Sequence, residues 1–137
     1  MNNVQYVDEH RSDRILGFLC RALELGYSYD EAWDLFLNST QGKGIQENDP
    51  WYIEHLQGRP LAEKADRELG HNYKKMSNID YDFDRLEALV YLIEMAHSQY
   101  NIDYQHIFSK MSLSEFMKEC EVCIGDYDNK LIKIYLI

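Results

Sequence analysis

A chain of 137 residues with 45% hydrophobic, 13% aromatic and 28% charged side chains, two prolines and seven glycines can bury one sizeable core, which excludes wholesale disorder. Its 14 Lys and Arg against 24 Asp and Glu give a formal net charge of −10, which repels phosphate backbones and argues against direct nucleic-acid binding. Three cysteines without framework spacing, an opening MNNVQYVDEHRSDR with neither a cationic start nor an apolar stretch, and no run near the roughly 18 apolar residues of a span predict a reduced, cytoplasmic protein without signal peptide or membrane helix.

The first predicted helix runs from about Asp8 to Leu25, because Ile15, Leu16, Leu19, Ala22 and Leu23 recur at helical spacing and Gly26 suits a left-handed cap. A second begins at Ser28, where Ser28 and Glu31 form an S-x-x-E capping box ahead of Ala32, Trp33, Leu35 and Phe36, and ends near Ser39. Residues 40–49, TQGKGIQEND, combine two glycines with polar residues and no period, and read as an exposed, flexible connection. Asp49 and Pro50 then supply an N-cap and a first-turn proline for a short helix through Trp51, Ile53 and Leu56 to Gly58. Another helix starts at Pro60, runs to Leu69 and closes on Gly70, and the stretch from His71 to Tyr81 reads as a link.

The longest helix is predicted between Asp82 and Tyr100. Leu86, Leu89, Val90, Ile93, Ala96 and His97 follow one stripe, while Arg85, Glu87, Glu94 and Gln99 are free to face water. A short helix from Asp103 to Lys110 follows, and Ser112 with Glu115 repeats the capping box ahead of Leu113, Phe116, Met117, Cys120 and Ile124. After a turn at Gly125–Asn129, residues 131–137 are almost continuously apolar and rich in β-formers. They suit either the last turns of a buried helix or, slightly better, a short β-strand, and a strand left exposed would pair with its counterpart in a homodimer.

An echo at an offset of 75 residues pairs Ile15 with Val90, Phe18 with Ile93, Gly26 with Asn101, Tyr27 with Ile102, Ser28 with Asp103 and Trp33 with Phe108. Each copy reads helix, left-handed cap, hydrophobic residue, N-cap, helix, which is a tight helix–helix corner. The expected fold is therefore mainly α: a compact bundle of about six or seven helices built on two helical hairpins, with the strand as its one β element. It forms a single domain over residues 1–137, with 1–70 and 82–137 as two packed subassemblies.

Most motifs of the kind that carry chemistry fail on context. Cys120 and Cys123 form a C-x-x-C, but a dithiol site needs its first cysteine at a helix start after a strand, and these two fall late on an apolar stripe as buried small hydrophobes. Zinc would need two more ligands, and His97 and His106 stand at no familiar spacing. Asp80, Asp82 and Asp84 resemble the opening of a calcium loop, yet Arg85 holds the position that needs glycine and Tyr91 the one that needs glutamate. Their better use is to cap a helix. Cys20 has no identifiable base, Glu54 and His55 lack the second histidine of a zinc-protease helix, and Gly42-Lys-Gly44 lacks phosphate-loop spacing. No catalytic, metal or cofactor-binding residue is expected, and no cofactor.

Trp51, Tyr52 and His55 follow the exposed connection at a short helix, a sensible position for contact with a protein partner. The competing and favoured expectation is that Trp51 locks that helix onto the core. Two further segments carry a resemblance. Leu35-Phe36-Leu37-Asn38-Ser39 with Trp51-Tyr52-Ile53 and Leu61-Ala62-Glu63, and Leu89-Val90-Tyr91-Leu92-Ile93-Glu94 leading into Asp103–Phe108, resemble short uncharacterised bacterial helical domains found in operons beside toxin-like genes. That resemblance implies a bacterial or phage origin and a neutralising or regulatory role. The leading expectation is a non-enzymatic protein-interaction module, antitoxin-like or regulatory, covering a basic surface on its partner. One alternative is an acidic nucleic-acid mimic that inhibits a nucleic-acid-binding protein; another is a small metal-dependent or hydrolytic enzyme gathering His97, His106, Cys120 and Cys123 around one cleft.

Overall fold

The computed structural model describes residues 9–69 and 81–119. They form a mainly α-helical bundle: α1 (Glu9–Glu24), α2 (Tyr29–Asn38), α3 (Thr40–Gln46), α4 (Pro50–Glu54), α5 (Gly58–Glu68), α6 (Phe83–Tyr100), a 3-10 turn (Tyr104–His106) and α7 (Leu113–Glu119). The link at 71–80, the C-x-x-C and the C-terminal heptapeptide lie outside the described residues. No described helix is long and apolar enough to cross a membrane.

Local caps place most of these helices where the sequence predicts them. Ser28 Oγ accepts from the Glu31 amide while Glu31 Oε1 accepts from the Ser28 amide, completing the capping box of α2. Ser112 and Glu115 repeat the arrangement at α7. Asp49 and Asp82 accept from the amides of Trp51 and Arg85 to open α4 and α6. Gly26 (φ 110°) and Asn101 (φ 57°) end α1 and α6 with positive φ, so the predicted echo holds at its left-handed caps, whereas Asp103 makes no side-chain cap where Ser28 does. The echo's Trp33–Phe108 pair also meets, the two rings packing edge to face with centroids 5.4 Å apart.

The connection predicted over 40–49 is instead a helix. Ser39 ends α2 and caps α3, its buried side chain accepting from the Gly42 amide at 2.9 Å. The two glycines answer close packing. A Cβ on Gly42 would fall inside van der Waals contact with the Phe36 carbonyl and 2.9 Å from Phe36 Cα. One on Gly44 would enter the Tyr52 ring, 2.6 Å from Cε2. With both glycines and Ile45 buried, α3 carries its apolar surface as backbone, which a side-chain pattern does not register.

Three smaller boundaries also shift. Helix α4 stops at Glu54, and α5 begins at Gly58, two residues before Pro60. The start of α5 lies directly on α1, since a Cβ on Gly58 would come within 2.8 Å of the Phe18 nitrogen. Ala62 and Ala65 continue this small-residue contact into the core. The helix predicted over Asp103–Lys110 shortens to one 3-10 turn, because Phe108 adopts φ 69° and turns its ring between Trp33 and Phe116.

Side chains from α1, α2, α3, α4, α5, α6, the 3-10 turn and α7 join one core cluster centred on Ile15, Phe18, Phe36 and Ile93. Phe36 is its hub: its ring stacks on Trp33 and meets Phe18 and Tyr104 edge to face. Helix α7 joins through Asp30, whose carboxylate accepts from the Ser114 amide at 3.0 Å.

These contacts separate the glycines by experiment. Gly42→Ala is expected to lower stability in urea unfolding by about 1–3 kcal/mol through overpacking. Gly17→Ala, whose added Cβ meets nothing closer than 3.4 Å, is expected to stay within about 1 kcal/mol of wild type or gain on it, because alanine favours a helix interior.

Candidate partner-binding site

The corner between α3 and α4 presents the aromatic residues singled out in the sequence, and the turn that builds it is local. Asn48 takes φ 58°, Asp49 caps α4 and Pro50 opens it. Within PWYIE the side chains then divide. Ile53 enters the core at 5% exposure and Tyr52 lies half-buried against Gly44. Trp51 points outward at 59% exposure, so Ile53, and not the tryptophan, locks the helix down. His55, four residues on, places its ring 5.2 Å from that of Trp51. The surface pair is thus Trp51 and His55, with Tyr52 as its internal support.

Electrostatics give the corner a sign. Glu47, Asp49 and Glu54 surround Trp51 in sequence, Glu47 and Glu54 exposed, and no Lys or Arg occurs between Lys43 and Arg59. An exposed indole with carboxylates at neighbouring positions of the chain combines an apolar anchor with attraction for cations.

A second cluster of charged groups lies inside the bundle. Glu94, expected to face water, is fully buried on α6. Arg11 on α1 donates from Nε to both of its carboxylate oxygens at 3.1 Å, and the Tyr104 hydroxyl donates to Oε1. Arg11 Nη2 also reaches Ser98 Oγ at 3.3 Å. The His97 ring stacks on Tyr104 with centroids 4.0 Å apart, and its Nδ1 lies 2.9 Å from the Ile102 carbonyl oxygen. The signal for this network was present in the sequence. Glu94 interrupts an otherwise apolar run, Leu92-Ile93 and Met95-Ala96, and Arg11 sits four residues before Ile15 on the buried stripe of α1.

A third cluster joins α1 to α5. The Glu24 carboxylate accepts from Arg59, from Arg21 Nη1 at 3.2 Å and from the Tyr81 hydroxyl at 2.8 Å, while Arg21 Nε also bonds Glu63 at 2.8 Å. Partial burial opposes ionisation of Glu24, but the donors around it outweigh burial and hold its carboxyl below its ordinary value of 4.5. Burial pushes the neighbouring Cys20 thiol up, with Tyr81 and the Arg59 charge opposing, so at neutral pH Cys20 is a protonated core residue.

The other candidate ligands are dispersed. His97 is committed to Tyr104, and His106 is exposed with Asp103 4.0 Å away. Asp82 serves as a helix cap. Among the described residues no three His, Cys, Asp or Glu side chains are grouped to hold a metal ion. No family model, no curated protein and no solved structure matches the chain.

Two stability measurements follow from the inner clusters. Arg11→Met or Glu94→Leu alone is expected to cost about 3–5 kcal/mol by leaving one charge buried, and the double variant to recover most of the loss. For Glu24, whose folded-state pKa is depressed, the stabilisation is present above pH 4.5 and disappears as pH falls through the lower folded value. The deficit of Glu24→Gln in urea midpoint is therefore expected at pH 7 and to shrink as the pH is lowered below 4.5.

Proposed function

We propose that this chain is a non-enzymatic protein-interaction module, antitoxin-like or regulatory in role, that covers a basic surface on a partner protein through the α3–α4 corner. The observation that carries this reading is Trp51: a tryptophan 59% exposed, held on a short capped helix and flanked by Glu47, Asp49 and Glu54. Tryptophan is among the residues that dominate binding energy when an interface desolvates it, and rim carboxylates steer a cationic partner and fix its orientation. The acidity extends over the whole chain, −4 over residues 1–77 from nine basic and thirteen acidic, and −6 over 78–137 from five and eleven. It therefore supplies a long-range field in addition to the local contacts.

The bundle supports such a role by keeping the corner rigid. Ser39, Gly42, Gly44 and Tyr52 fix α3 against α2 and α4, so little order remains to be gained on binding. The buried charges of Arg11 and Glu94 are spent on one another.

The test is affinity capture with wild-type, Trp51→Ala and Glu47→Lys/Glu54→Lys baits, followed by titration of whatever basic protein the wild type retains. Trp51→Ala is expected to weaken that complex by at least about 2 kcal/mol, roughly thirtyfold, without lowering the urea midpoint. The charge-reversed bait should lose the partner at low salt, where electrostatic attraction is strongest. Equal capture by all three baits would reject the corner as the binding surface.

A further inference from the structure

A second surface differs from the rest of this acidic molecule. Tyr29 at the start of α2, Arg85 on α6, and Ser114, Glu115, Met117 and Lys118 on α7 line an open cleft of about 420 Å3, within the size range of small-molecule sites. The nearby carboxylates are already engaged. Asp30 accepts from the Ser114 amide, Glu115 from the amide and hydroxyl of Ser112, and Asp82 from the Arg85 amide.

The two cations are not matched in this way. Arg85 Nη2 donates to the Met117 carbonyl, which pins the guanidinium across the α6–α7 junction, yet Arg85 Nε is buried without a hydrogen-bond partner among the described residues. Neither Arg85 nor Lys118 forms an ion pair among the described residues. A planar guanidinium fixed at one end offers its remaining N–H edge to a carboxylate with more directional specificity than a point charge does. Burial pushes the Tyr29 phenol up, against the Arg85 charge and with Asp82 and Cys20, so its hydroxyl remains a donor at neutral pH. Tyr29 and the largely buried Met117 line the cleft beside these donors.

We propose that this cleft binds a small organic carboxylate with an apolar body, Arg85 and Lys118 receiving the carboxylate while Tyr29 and Met117 flank the hydrocarbon. The site is separate from the α3–α4 corner and stands whether or not that corner binds a protein.

Titration calorimetry on the full chain tests it with benzoate as the probe, benzyl alcohol as the uncharged control and inorganic phosphate as the charge-only control. Saturable one-to-one binding of benzoate is expected, weakened at least about tenfold by Lys118→Glu and by Arg85→Gln, with benzyl alcohol weaker still and phosphate failing to displace benzoate. Lys118 is exposed, so Lys118→Glu keeps the test interpretable if Arg85→Gln unfolds through loss of its Met117 contact. Absence of saturation, or benzoate binding unchanged in Lys118→Glu, overturns the proposal. Displacement by phosphate at equal concentration overturns the carboxylate assignment.

Discussion

The Arg11–Glu94 pair sets the relation between α1 and α6, and with it the relation between the first five helices and the rest of the described chain. Both charges are removed from water, Glu94 completely, so each is tolerable only while the other stands 3.1 Å away. Such a pair adds little net stability over apolar packing of equal volume, but it penalises every arrangement in which the two helices slide or rotate apart. Tyr104 and His97 extend that constraint to the turn after α6. The pair therefore acts on register and uniqueness more than on total stability.

Around that lock the fold saves space with small residues. Gly58, Ala62 and Ala65 let α5 approach α1, and Gly42 and Gly44 let α3 approach Phe36 and Tyr52. Close backbone approach leaves less room for adjustment than interdigitated large side chains, so these elements hold their neighbours in place. The rigidity reaches the surface at the α3–α4 corner, where Tyr52 packs inward and Trp51 is left outside.

Charge is distributed unevenly over the fold. Carboxylates near helix starts are consumed by capping, at Asp49, Asp82, Glu31 and Glu115, and Glu24 and Glu63 are consumed by arginines. Glu47 and Glu54 beside Trp51 stay exposed to the solvent. At the α2–α6–α7 junction Asp30 and Glu115 accept from backbone amides, and neither Arg85 nor Lys118 forms an ion pair among the described residues.

What the sequence determined by itself is what short-range chemistry controls. The starts of α2, α4, α6 and α7 and the left-handed ends of α1 and α6 were legible, because each cap is made by atoms within a few residues of one another. The candidate surface was legible as a location, since Trp51 and Tyr52 fall on a short proline-opened helix that His55 ends, but not as an arrangement. Which of Trp51 and Ile53 faces the core, whether Thr40–Gln46 coils into a helix, where Phe108 stops one, and whether Glu94 meets water all depend on what stands opposite. Those opposing groups, Arg11, Phe36, Tyr52, Trp33 and Phe116, lie elsewhere along the chain or on another helix. Only the packed bundle brings them together, and only there does a glycine's missing side chain or a glutamate's charge acquire its meaning.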